Sequence, residues 1–307
     1  MYFSQIPLFE GRYDRDGQFA DLGLADDSFA GLLTYCESVK YIGTVNRNPA
    51  AVAVVSRPEL AGEFRPELAV ITSDDPRSLF FLALDYLAAE TDFFGRPGEN
   101  VLAASARVHP SAVIAERGVV VGERTVIGPH VVIEAKTTIG DDVVIDPGAV
   151  LGGEGFQLIK TGGRYLHVKH GGGVTIGDRV RIGANSCVDR GLTRRDTLVD
   201  EETKVDNLVH IAHGCRVGRR CALAAGVCLA GSAEVGDDVW IAPGAVVLPK
   251  VKIGAGAYIG AAALVTRAVA GGETVMGRPS GTAGEMLETE KRRRFLNRLY
   301  KESKSGA

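Results

Sequence analysis

No apolar run in these 307 residues approaches the ~18 to 20 that a membrane-spanning helix requires. The opening MYFSQIPLFEGRYDRDG also lacks the basic-then-apolar layout of a secretory leader. A cytoplasmic location with no transmembrane segment is the expectation. An excess of either charge is missing as well: Lys+Arg 35 stand against Asp+Glu 38, which argues against a chain built to hold nucleic acid. The five cysteines, Cys36, Cys187, Cys215, Cys221 and Cys228, form no CxxC pair and are odd in number. They read as free thiols in a reducing compartment, acting as small apolar fillers.

What the chain has is a step of six. Apolar residues recur at Val199, Val205, Ile211, Val217, Leu223, Leu229, Val235, Ile241, Val247, Ile253, Ile259 and Val265. An earlier run, Val121, Ile127, Ile133, Ile139, Ile145 and Leu151, keeps the same spacing, and Ile176, Ile182 and Val188 join it. Neither a helix period nor a strand alternation produces that step. These hexads resemble the hexapeptide acyltransferase superfamily. The resemblance implies a left-handed parallel β-helix in which six residues make one flat face of a triangular prism, three hexads make a coil, and residues 18 apart stack. The physics agrees, since one aliphatic side chain per face fills a narrow core while neighbouring coils pair as parallel strands.

Two stretches break the rhythm: GGEGFQLIKTGGRYLHVKHGGG at 152–173, and DRGLTRRDT at 189–197 with Asp189, Arg190 and Asp196. Breaks in a solenoid are where loops project and function collects. Before the hexads the texture is mixed. AVAVVS and LAVITS read as buried strands, and DPRSLFFLALDYLAAE as a helix with Asp75 as N-cap and Pro76 at its first position. The expected organisation is mostly β: residues 1–104 a small α/β domain, 105–281 the β-helix acyltransferase domain, and 282–307 a short basic C-terminal helix. That helix carries Lys291, Arg292, Arg293, Arg294, Arg298 and Lys301, either a solvated face or a dock for an acidic protein.

Two histidines stand in DNLVHIAHGCRVG at 206–218, where a metal ligand, a buried structural pair or a catalytic base would each fit. A wider resemblance bears on the choice. LLTYCESVKY, HPSAVI, GGEGF, IGDRVRIGANSCVDRG, a following DT, DNLVHIAH and LAGS occur here in the order found in UDP-3-O-acylglucosamine N-acyltransferases of lipid A biosynthesis, over about residues 28–281. The resemblance implies transfer of an acyl chain from an acyl carrier protein thioester to the amine of a UDP-linked amino sugar. It also implies a homotrimer with sites between subunits and no tightly bound cofactor, the donor being carried on phosphopantetheine.

Residue by residue, the resemblance places the general base on His213 and an oxyanion-binding backbone N–H on Gly231, which is 18 residues further on. Tyr35 and Tyr41 match the aromatic positions that hold uracil, and the resemblance makes residues 1–104 a nucleotide (uridine)-binding domain. His210 stands where the family commonly has glutamine, as a neighbour shaping the pocket. Lys250 takes the place of a second histidine beside the sugar, Gly214 that of an asparagine, and Ser38 that of an asparagine in the uridine motif. An imidazole suits the chemistry, because amine attack on a thioester needs a base near neutrality. Asp206 or Asn207 is a candidate to orient that imidazole.

Three rivals stand beside this reading. One is a coenzyme A-dependent N-acetyl- or N-formyltransferase on a nucleotide-linked amino sugar of a surface polysaccharide. Another is a zinc-dependent hydratase on the same prism, whose ligand set here is incomplete because no histidine follows His213. The last is a non-catalytic sugar-nucleotide-binding solenoid. No metal is expected.

Overall fold

The computed structural model describes residues 1–14, 16–95 and 97–277, with scattered positions between 284 and 298. Apart from those positions, the segment 282–307 expected as a basic helix lies outside the described residues.

The chain begins with an all-parallel four-stranded sheet, ordered β1 (Asp21–Leu22), β2 (Leu32–Cys36), β3 (Ala51–Ser56), β4 (Ala69–Thr72). Helix α1 (Val39–Arg47) crosses from β2 to β3. Its N-cap is Ser38, whose hydroxyl accepts from the Lys40 N–H, so this departure from the family asparagine keeps a good capping residue. Helix α2 (Pro76–Glu90) starts as its sequence predicts: Asp75 caps the Ser78 N–H, and Pro76 occupies a position whose amide needs no partner. Leu79, Phe80, Ala83, Leu84 and Leu87 of α2 pack on Leu33, Val55 and Ile71 of the sheet.

From Val101–Leu102 onward the chain winds through three parallel sheets of eight, eight and nine strands, a left-handed parallel β-helix. Its first strand therefore lies within the stretch FFGRPGENVLAASA, upstream of the expected boundary at 105. Most strands are only two residues long, one pointing out and one in. The inward residues are those of the six-step: Val205, Ile211, Val217, Leu223, Leu229 and Val235 form one continuous buried column system. Neighbouring coils pair residues eighteen apart, Val132 with Val150 and Ile211 with Leu229. Buried Cys215 and Cys221 fill small core positions two residues before an inward aliphatic, in keeping with their reading as fillers, and all five cysteines are free.

The two breaks leave the stacking intact. Leu151 pairs with Val188 across the first, and Val188 with Ile211 across the second, so each inserted loop leaves the prism and returns in register. The first loop forms an antiparallel hairpin, Leu158–Thr161 with Arg164–His167. Its Ile159 and Val168 are buried in the core of the N-terminal domain, and the Lys169 N–H donates to Asp85 of α2 at 2.7 Å. Below it, the Lys136 ammonium donates to the carbonyls of Phe94 (3.2 Å) and Gly171 (2.9 Å). The loop thus bolts the sheet domain to the prism. Among the described residues, no helix is long and apolar enough to cross a membrane.

Candidate active site

His213 sits at a prism corner directly after the strand His210–Ile211, whose Ile211 points into the core. Two backbone bonds fix this corner: the His213 carbonyl accepts from the Ser232 N–H at 2.9 Å, and the Gly214 N–H donates to Thr197 Oγ1 at 2.8 Å. Gly214 has φ +68°, a left-handed conformation that glycine and asparagine tolerate best, so glycine here serves the same backbone need as the family asparagine.

The eighteen-residue step then brings Gly231 against the imidazole. A Cβ built on Gly231 would lie 2.6 Å from both Cε1 and Nε2 of His213. No acceptor for the Gly231 N–H exists among the described residues. His213 Nδ1 is buried without a hydrogen-bond partner, which leaves Nε2 as the nitrogen open to the cavity. That cavity, about 470 Å³, is lined by His213, His210, Gly231, Lys250, Tyr35 and Arg77. A neighbouring cleft of about 290 Å³ holds Tyr35 and Tyr41, and Lys250 lines it too. The structure therefore gathers all six sequence-derived residues around two adjoining hollows, with Lys250 where they meet. Lys250 has no ion-pair partner among the described residues.

Burial pushes the His213 pKa down to about 4, helped by the nearby charges of His170 and then His210. His210 itself, half exposed, has its Nε2 3.6 Å from Asp189 Oδ2. Burial raises the Asp189 pKa, against the lowering effect of His210 and His170. Asp206 and Asn207 do not orient His213. The Asp206 carboxylate accepts from the Asn207 and Ala225 N–H groups, and the Asn207 amide oxygen accepts from Ala184 N–H, so both are spent on corner backbone. Among the described residues no group of three or more His, Cys, Asp or Glu is placed to hold a metal ion.

Several site residues escaped the sequence reading. Arg77, at the start of α2, lines the cavity beside Tyr35 and stacks on Phe81 at 5.4 Å. Phe156, 79% exposed, overhangs the cavity from the long loop. His170 and Glu154, from the same loop, pair at 3.1 Å behind His213. Only the rule that function collects at breaks pointed toward the last three.

Comparison with known proteins gives the family. The family model for the bacterial transferase hexapeptide (six repeats) matches residues 118–153 and 232–267, and that for the hexapeptide repeat of succinyl-transferase matches 173–193. A UDP-3-O-acylglucosamine N-acyltransferase from Delftia acidovorans is 35% identical over 274 residues, 83% of this chain and 78% of that protein. The chain belongs to the UDP-3-O-acylglucosamine N-acyltransferase family. It is accordingly an acyltransferase, and its prism is that family's hexapeptide repeat. The family member from Herminiimonas arsenicoxydans is 29% identical over 293 residues, 84% of this chain and 82% of its own length. Among solved structures, the UDP-N-acetylglucosamine acyltransferase of Francisella novicida is 28% identical with a TM-score of 0.49, covering 62% of this chain and 71% of that one.

Proposed function

We propose that this chain moves an acyl group from a phosphopantetheine thioester, carried on acyl carrier protein, to the amine of a UDP-linked amino sugar in lipid A-type biosynthesis. The observation that carries the reading is the His213–Gly231 contact inside a cavity that adjoins the Tyr35/Tyr41 cleft. The amine nitrogen attacks the thioester carbon, and the Gly231 N–H, free of other acceptors, faces the developing oxyanion. His213 Nε2 takes a proton from the resulting ammonium and returns it to the departing sulfur, giving an amide and a free thiol. Tyr35, Tyr41 and the unpaired Lys250 would receive the nucleotide, with the lysine ammonium facing the diphosphate.

A homotrimer suits the surface. Outward positions on the sheet that carries His210 include Val113, Val132, Val150, Val246 and Leu264 and, among the described residues, no Lys or Arg, whereas the other two sheets mix apolar residues such as Val120, Trp240 and Tyr258 with Arg181, Lys204, Arg216 and Lys252. An apolar face beside the site favours burial against another copy.

The test is His213→Ala, assayed with UDP-3-O-acylglucosamine and acyl carrier protein thioester. Loss of activity by a factor of roughly 10² to 10⁴ with an unchanged oligomer is expected. Full activity would sink the assignment, and faster turnover with acetyl-coenzyme A would replace the donor.

A further inference from the structure

A buried catalytic imidazole is commonly held by a hydrogen bond to a carboxylate. His213 has none, since its Nδ1 lacks a partner and Asp206 and Asn207 bond elsewhere. What touches it instead is a second imidazole. The His170 ring, 4% exposed, stands edge-to-face against His213 with centroids 5.4 Å apart and planes at 69°. His170 is itself clamped: its Nδ1 lies 2.9 Å from the Val168 carbonyl and 3.1 Å from Glu154 Oε2, and its backbone N–H donates to the same carboxylate at 3.0 Å. Both neighbours of Nδ1 accept, so that nitrogen carries a proton and Nε2 is left facing inward without a partner. Burial works against the Glu154 charge, but the hydrogen bonds from His170 prevail and hold its carboxyl below the usual range.

Glycine makes the approach possible. A Cβ on Gly155 would fall 2.7 Å from His170 Nε2 and 2.9 Å from His213 Cβ, so any side chain there would wedge the two rings apart. His213 is thus gripped between His170 on one side and Gly231 on the other.

We infer that His170, anchored by Glu154, is the positioning residue for His213, setting the attitude of the imidazole by ring packing. The inference rests on His213 being the base. Other charged or titratable groups around His213 are His210 on its own strand, Asp189 beside His210, Lys250 from the corner above, and Arg77 and Tyr35 from the sheet domain. Substitutions at His170 and Glu154 in the full-length protein leave all of these groups in place.

The experiment compares His170→Ala, His170→Phe and Glu154→Gln by steady-state kinetics, and follows the His213 imidazole by ¹⁵N NMR titration in the intact oligomer. His170→Ala is expected to lower kcat at least tenfold, leave KM for the UDP-sugar within about threefold, and move the His213 titration upward. His170→Phe restores the ring and its packing, so kcat returns to within a few-fold of the parent and the titration moves back toward the parent midpoint. Glu154→Gln frees the His170 ring and gives an intermediate loss of kcat. Wild-type kcat and titration in His170→Ala would overturn the inference, as would equal loss in the Ala and Phe variants, which would mean His170 acts by its own proton chemistry. Should the Ala variant fail to assemble, the Phe and Gln variants decide alone. The NMR arm does not depend on turnover, so failure of the acyl-transfer reading and failure of this inference are separable.

Discussion

The tip of the His213 imidazole rests against the backbone of Gly231, one coil further along the prism, with no room for even a methyl group between them. Glycine is therefore needed at 231 for space. The left-handed turns of the prism do not demand it, since thirteen non-glycine residues, Ser232 among them, adopt positive φ at the corners.

Gly231→Ala should consequently lose activity by roughly 10²-fold, because the added carbon displaces Nε2 from the thioester while the N–H stays in place. Melting temperature should change little, as the surrounding backbone pairs are untouched. Activity within threefold of the parent would show that the ring has room to move aside.

The acid limb of the pH–activity profile should not come from His213 at ordinary pH. With its pKa lowered to about 4 by burial, the imidazole is neutral above roughly pH 5 and available as a base throughout the physiological range. The measurement is the ¹⁵N titration of His213 in the substrate-free oligomer. A midpoint at the ordinary histidine value of 6.5 would contradict the burial that the structure shows.

Lys250→Gln should raise KM for the UDP-sugar by about 10- to 100-fold and leave kcat within a few-fold, the loss expected for one charge-assisted contact. Inhibition by UDP should weaken in parallel. Inhibition by uridine, which has no phosphate, should not change. Equal weakening of both ligands would place Lys250 at the base or ribose instead.

Stability should carry two opposing pH slopes. Asp21, 4% exposed beside Arg194 of the second loop, has its pKa raised to about 6 by burial, above its unfolded value. Its contribution is full below about pH 4 and disappears as pH rises through 6, a swing of up to about 3 kcal/mol. His213 has the opposite sign, because its folded pKa is depressed, so stability falls as pH drops from 6.5 toward 4. Asp21→Asn should therefore raise the melting temperature at pH 7 to 8 relative to the parent and leave a curve that climbs with pH between 4 and 6.5. A pH profile parallel to the parent would show that Asp21 ionises freely.

What could be read from the chain without coordinates was what the repeat controls. A period of six fixes which residues point inward, and three periods fix which residues stack, so the His213–Gly231 column followed from counting. The α2 cap followed from Asp75–Pro76 for an equally local reason. Residues outside the repeat had no such ruler. Glu154 and His170 sit at the two ends of a loop whose hairpin has no fixed register with the coils, and Arg77 reaches the cavity from a different domain. Asp206 and Asn207 are candidates to orient the imidazole only because they lie near His213 in sequence; the corner amides of Asn207 and Ala225 claim the Asp206 oxygens first, and that of Ala184 the Asn207 oxygen. Competition from unsatisfied backbone N–H groups is strongest at such turns.

The long loop has a wider consequence. Its Ile159 and Val168 are part of the core of the sheet domain, its strand ends are coils of the prism, and Lys136 ties its base to Phe94. The span from the tyrosine pair to the histidine is thus built in as a caliper, set by the scaffold before any ligand arrives. On the proposed assignment a substrate would be measured as well as recognised: its amine would have to lie one fixed stride from its nucleotide, and a shorter or longer tether would leave the nitrogen out of reach of the base.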